Sequence, residues 1–188
     1  SLIPAYEALT PGDLGLYMTC TDEAGKLQPR EMSFYLSQGC KYVCDFCAAD
    51  HTQTDTLANK TTVVEERYRD PHIVKKDLDF LVQAARRNGV NGLELYLSNL
   101  DLFQTPKKLH EFAEIVTDIK SRYPGFAIGM RALSTTKEFV EVSKNHKRTL
   151  RAIRDAGLHT VGFGVDGSTP GTWRKIKKGQ NTSDNCIK

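Results

Sequence analysis

From residue 31 onward the chain switches between two hydrophobic periods. Met32, Phe34 and Leu36 alternate with Ser33, Tyr35 and Ser37, the two-residue period of a strand. Val74, Leu78, Leu81, Val82 and Ala85 then recur on one face of an amphipathic helix that follows Pro71 and stops at Gly89. A second strand is expected at 92–98. Pro106 opens a second helix with Leu109, Phe112, Ala113, Val116 and Ile119 on one face, ended by Pro124 and Gly125. A third strand at 126–131 leads through a less regular stretch, 132–145, into a helix containing Leu150 and Ile153 that stops at Gly157. The fourth strand is expected at 160–166. Strand and helix alternating in this way predict an α/β fold with parallel strands and crossover helices.

The flanking stretches read differently. Pro4, Pro11, Gly12, Gly15, Gly25 and Pro29 make residues 1–30 a lead-in of loops and short extended pieces, ahead of a core at 31–188. Residues 48–70 are polar, predicted irregular, and long enough to wrap a cofactor. Residues 167–181 form a Gly/Lys-rich loop, after which Thr182 or Ser183 with Asp184 caps a fourth helix that is given no body. Four parallel strands alone leave an open edge and an uncovered face. The expectation is therefore a partial (β/α)6 TIM-type barrel truncated after its fourth strand. The chain also lacks an initiator Met and reads as a segment or a processed product.

Strand parity divides each strand into two sets. The apolar sets are Met32, Phe34, Leu36; Leu93, Leu95, Leu97; Phe126, Ile128, Met130; and Val161, Phe163, Val165, all expected against helices. Opposite them stand Ser33, Tyr35, Ser37; Glu94, Tyr96, Ser98; Ala127, Gly129, Arg131; and Gly162, Gly164, Asp166. An ordinary barrel fills its axis with bulky branched side chains, whereas these are small, polar or charged, so the expected interior is a cavity. Gly129, Gly162 and Gly164 would leave room for a ligand, and Arg131 and Asp166 would project at the carboxyl ends of their strands, where parallel sheets bind ligands.

Composition narrows the class only slightly. With 39% hydrophobic and 26% charged among 188 residues, the chain can bury a sizeable core, and nothing points to disorder. A net charge of +3 without a basic, aromatic-interleaved block does not indicate nucleic acid. No apolar run reaches membrane-spanning length, so no membrane partner is expected.

The chemistry is concentrated where the first strand ends. Cys40, Cys44 and Cys47 follow a C-x3-C-x2-C spacing, and three thiolates within eight residues make a chelate. A structural zinc site needs four protein ligands, whereas an iron–sulfur cluster can keep one iron open to a substrate or cofactor. His51 lies where it would complete a Cys3His zinc site, so a non-catalytic zinc scaffold, with the basic loop near Lys175 to Lys178 contacting RNA or a protein, stays open as the alternative. Cys20 and Cys186 lie far off in sequence and read as packing residues. Thiolate ligands must stay reduced, which favours a cytoplasmic setting.

This spacing, with Phe46 before the last cysteine, resembles the signature of the radical S-adenosylmethionine (SAM) superfamily. The likeness covers roughly 31–188. Tyr68, Arg69 and Pro71, and Gly164-Val165-Asp166-Gly167-Ser168 with Lys175, Lys178 and Gly179, look like its cobalamin-binding-type (B12-binding-like) branch. The resemblance implies that Cys40, Cys44 and Cys47 hold a 4Fe-4S cluster whose fourth iron chelates SAM. It implies reductive cleavage of SAM to a 5'-deoxyadenosyl radical, and a low-potential electron donor such as ferredoxin or flavodoxin. By position, Phe46 would flank the adenine, Ser98 and Asn99 would lie near the methionine amino group, Arg131 would suit the carboxylate, and Asp166, following Gly164, the ribose or amino group. The chain departs from the family in ending its second strand Ser98-Asn99-Leu100-Asp101 instead of Gly-Gly-Glu, and in having Asp166 in place of Glu. Glu94, Tyr96 and Tyr35 are candidates for substrate chemistry by cavity location. The branch implies a cobalamin domain in the full-length protein before residue 1. Substrate and reaction subgroup are not encoded in any motif.

Overall fold

A computed structural model of the chain describes residues 11–42, 44–47, 52–55, 60–63 and 66–187. In chain order the elements are α1 (Pro11–Met18), β1 (Thr19–Thr21), β2 (Leu27–Pro29), β3 (Glu31–Phe34), β4 (Ser37–Gln38), β5 (Thr52–Asp55), β6 (Lys60–Val63) and β7 (Arg67–Tyr68). They continue with α2 (Pro71–Arg87), β8 (Gly92–Leu97), α3 (Pro106–Arg122), β9 (Ala127–Ser134), α4 (Thr136–Asn145), α5 (Lys147–Ala156), β10 (Leu158–Phe163), α6 (Pro170–Lys175) and α7 (Ser183–Ile187).

The four strands read from two-residue alternation form one sheet in the order β10-β9-β8-β3, every pair parallel. Each strand lies beside the one before it in sequence, so the sheet grows in one direction with helices in its connections. Among the described residues β3 and β10 are its two edges. The parallel sheet bears out the α/β expectation.

Register explains why one face is buried. Met32 pairs with Leu95 and Leu95 with Met130; Phe34 pairs with Leu97 and Leu97 with Ala132. These rows are buried, as are Leu78, Leu81, Val82 and Ala85 of α2 and Phe112, Ala113, Val116 and Ile119 of α3, all in one hydrophobic core. Burying a side chain of this size is worth about 1.5–3 kcal/mol, so a one-residue slip, which would turn every row outward, is strongly disfavoured.

Local chemistry sets the helix starts. The Asp70 carboxylate accepts a hydrogen bond from the His72 amide at 2.8 Å, and Pro71 occupies the first helical position of α2. The Arg69 guanidinium pairs with buried Asp77 and donates to the Tyr35 carbonyl at 2.9 Å, tying the start of α2 to the end of β3.

Several stretches differ from the sequence reading. Residues 11–18 are helical, and Leu14 and Met18 belong to the main core. β5 and β6 pair as an antiparallel hairpin within the stretch expected to be irregular. β9 runs to Ser134 and is followed by α4, where an irregular stretch was expected. β10 ends at Phe163, so Val165 and Asp166 lie beyond the strand. α6 interrupts the predicted 167–181 loop, capped by the Thr169 hydroxyl, which accepts from the Thr172 amide at 3.2 Å.

The sheet's polar face is not the hollow that parity suggested. The Glu94 carboxylate occupies the space beside Gly129, and the Leu133 side chain that beside Gly162. Glu94 receives His159 at 3.1 Å, and Arg131 pairs with Glu31 across the same face. Phe163, though partly exposed, packs its ring edge-on against Phe139 of α4 at 5.2 Å between ring centres, the helix side that parity expects, whereas Val165 lies beyond the strand and is exposed.

Leu95, fully buried between Met32 and Met130, is the most direct probe of this packing. Leu95→Ala should cost about 2–5 kcal/mol in urea unfolding, and a loss below about 1 kcal/mol would contradict the assigned core.

Candidate functional site

The cysteine loop leaves the carboxyl end of the sheet. After β3 the chain makes β4, whose Ser37 pairs with Tyr68 of β7, and then turns at Gly39 with φ of 104°. Cys40 is buried, Cys44 half-buried and Cys47 exposed. Burial pushes the Cys40 thiol up to about 11, and neighbouring Cys44 and Cys47 add to the rise, so the three sulfurs share one electrostatic neighbourhood. Among the described residues, however, no three Cys, His, Asp or Glu side chains are gathered in a metal-holding arrangement. The chelate expected from spacing is thus present as a donor set on one loop and not as an assembled cage. His51, the fourth ligand of the zinc alternative, lies outside the described residues.

Two neighbouring elements hold the loop from beneath. The Lys41 amide donates to Gln104 Oε1 at 2.8 Å, and the Lys41 ammonium pairs with Glu138 of α4 at 2.8 Å. The Tyr42 hydroxyl also donates to Glu138, which is buried.

Beside the loop lies a largely buried polar cluster drawn from β4, the residue before β7, the connection that follows β8, and the last residue of β9 with the one after it. The Ser37 hydroxyl donates to Glu66 at 2.6 Å and accepts from Asn99 Nδ2 at 2.6 Å, while Thr105 donates to the other oxygen of Glu66 at 2.8 Å. The Asp101 carboxylate accepts from Ser134 at 2.5 Å and Thr135 at 2.8 Å. Burial pushes both Glu66 and Asp101 above the ordinary carboxylate range, and the hydroxyl donors only partly offset it.

The predicted ligand residues are partly brought together. Phe46 is half exposed on the loop, with Lys178 Nζ 5.2 Å from its ring centre, and Lys178 pairs with Asp166, so Phe46 and Asp166 meet through one cation. Gly164 lies there too: a side chain at this position would stand 3.2 Å from Lys178 Nζ. Asn99 is buried, and its Oδ1 has no partner among the described residues. Ser98, just past β8, is tied to the neighbouring strand β3, its amide donating to the Phe34 carbonyl at 3.0 Å.

Arg131 stands elsewhere. β9 continues three residues past it, so it is a mid-strand residue, paired with Glu31 and 4.9 Å from the Tyr96 ring centre. It therefore does not stand at its strand's carboxyl end, where the sequence pattern predicts it. Glu94 and Tyr96 lie on the same open face, with Tyr35 nearer the loop, where its hydroxyl is 3.4 Å from Gln38.

The donor set suits a thiolate-bound cluster in its chemistry, three sulfurs without a described fourth ligand. A further fit comes from buried polar atoms without partners among the described residues: Asn99 Oδ1 is an acceptor and Gln104 Nε2 a donor, both on the connection after β8 that meets the cysteine loop at Lys41. Buried polar groups are normally satisfied, so unpartnered ones beside the cysteine loop suit a ligand carrying both a donor and an acceptor, such as an amino-acid moiety. Sequence reading missed Glu66, Gln104, Glu138 and Gln180. Only Glu138 carried a signal, since Thr135-x-x-Glu138 is a capping box.

The raised Glu66 carboxyl makes a pH prediction. A carboxyl whose pKa is higher folded than unfolded lends stability that is full below its ordinary value of about 4 and is lost as pH rises through the raised one. Glu66→Gln, which retains an acceptor for Ser37 or Thr105, should flatten the fall in Tm as pH rises above about 4. A wild-type slope in that variant would place the titration elsewhere.

No protein-family model matches the chain, and no curated protein matches it in sequence. Its fold is similar to that of the apo, selenomethionine-labelled cobalamin-dependent S-adenosylmethionine radical enzyme OxsB, with a TM-score of 0.63 at 14% identity. The match covers 90% of this chain and 26% of that one, so the chain spans about a quarter of the enzyme's length and the likeness is one of fold.

Proposed function

We propose that this chain is the cluster-carrying part of a radical SAM enzyme, supplying the first four strands of a partial barrel. The observation that carries the reading is the C-x3-C-x2-C loop at the carboxyl edge of a sequentially ordered parallel sheet, over buried polar atoms that lack partners among the described residues. The fold likeness to a SAM radical enzyme supports it independently of the motif.

In this reading Cys40, Cys44 and Cys47 hold a 4Fe-4S cluster. When bound, such a cluster supplies an electron for cleavage of the SAM sulfonium bond and an open iron to anchor its amino-acid end. The chain's own residues bind and orient. Asn99 Oδ1 accepts from the amino group, Gln104 Nε2 donates to the carboxylate, Phe46 covers the adenine, and Asp166, next to Gly164, accepts from the ribose. Arg131 takes no part, since Glu31 holds it on the open face. The electron donor is a low-potential protein such as a ferredoxin or flavodoxin. Cobalamin, named for the structural neighbour, would be held by residues outside this chain. Barrel closure likewise requires strands beyond β10.

Iron and sulfide analysis after anaerobic reconstitution tests the assignment. The chain should be brown and hold about four irons with matching sulfide. Replacing Cys40, Cys44 and Cys47 together by alanine should abolish iron binding and SAM cleavage while leaving the far-ultraviolet circular dichroism unchanged. A colourless wild-type chain with one bound zinc would establish the scaffold reading instead.

A further inference from the structure

The segment after α6 reaches back more than 130 residues in sequence to the cysteine loop, touching it at consecutive points. The Ile176 carbonyl accepts from the Asp45 amide at 3.2 Å, and Lys177 Nζ pairs with Asp45 at 2.8 Å. Gln180 Nε2 donates to Cys44 Sγ at 3.4 Å, and Lys178 Nζ sits between Asp166 and the face of Phe46. Lys178, Gln180 and Asn181 are all at least nine-tenths buried, although they belong to a short connection. Long polar side chains in a connection normally remain in water.

Two further features mark this segment as more than a passing loop. Among the described residues, the non-glycine positions with positive φ are Asp166 at 45°, four residues before α6, and Lys177 at 51°, two residues after it. Glycine is the ordinary choice for such a conformation past a helix end; a lysine there gains the contact to Asp45. The segment is also anchored at its own base. Asn181 Nδ2 donates to the Val165 carbonyl at 2.5 Å, buried Trp173 donates to the same oxygen at 2.9 Å, and the Lys178 amide donates to the Trp173 carbonyl at 2.8 Å.

We infer that residues 176–181 are a strap that positions the cysteine loop, with Gln180 as a hydrogen-bond donor to the Cys44 sulfur and Lys178 locking Phe46 against Asp166. Neither side chain is needed as a ligand; both act through residues of the loop. The strap rests on geometry alone, whereas its chemical consequence rests on the proposed cluster. A donor to a ligating sulfur stabilises the more negative, reduced state and so raises the potential.

The strap is tested first on the metal-free chain by hydrogen–deuterium exchange. Gln180→Leu and Lys178→Met should each speed exchange in the peptide containing residues 44–47 at least about five-fold, with α2 peptides unchanged as the folding control. Wild-type exchange rates at 44–47 in both variants would overturn the strap, whatever the chain binds. The donor role is tested on the reconstituted chain by redox titration. The midpoint potential should move to a more negative value in Gln180→Leu, and an unshifted potential would overturn that role. A wild-type chain that takes up no cluster while the exchange result holds would leave the strap standing and refute the proposed function.

Discussion

The structure depends on one constraint, that four parallel strands turn their apolar alternates to the same side. Once Leu95 lies between Met32 and Met130, and Leu97 between Phe34 and Ala132, every strand runs the same way. All of their carboxyl ends then meet at one edge. The loop that follows β3 carries the cysteines; the connections after β8, β9 and β10 bring Gln104, Glu138 and Gln180 to it. A hydrophobic requirement on one face thereby collects polar groups from four distant stretches at one end.

That collection is costly to fold. Glu66, Asp101 and Glu138 are carboxylates in surroundings where an apolar core would be cheaper to build. Hydroxyls from Ser37, Thr105, Ser134 and Thr135 satisfy the first two, and Lys41 with Tyr42 satisfies the third. Each of these links joins one strand-end connection to another, so the polar cluster fixes the relative position of loops that hydrophobic packing alone would leave loose. A rigid seat of this kind is what the proposed function asks of a loop bearing three thiols.

Much of the fold could be read from residue periodicity, because its four strands and its main helices each bury one face. α1 escaped because Gly12 and Gly15 looked like breakers, although Leu14 and Met18 pack in the core. α4 and α6 escaped despite readable caps, Thr135 with Glu138 and Thr169 ahead of Pro170. The cysteine loop was legible because its donors are close in sequence. Its supports were not, because Glu138 lies 96 residues from Tyr42, Gln104 lies 63 from Lys41 and Gln180 lies 136 from Cys44. Arg131 misled for the same reason, since its partner Glu31 lies 100 residues away and its strand runs on beyond it.

The central claim is that the three thiols of this loop bind a cluster that leaves a site for SAM. Electron paramagnetic resonance of the anaerobically reconstituted and reduced chain, recorded with and without SAM, tests it most directly. The account predicts the signal of a reduced 4Fe-4S cluster whose g-values change when SAM is added. A cluster signal indifferent to SAM, or no paramagnetic centre at all, would contradict it.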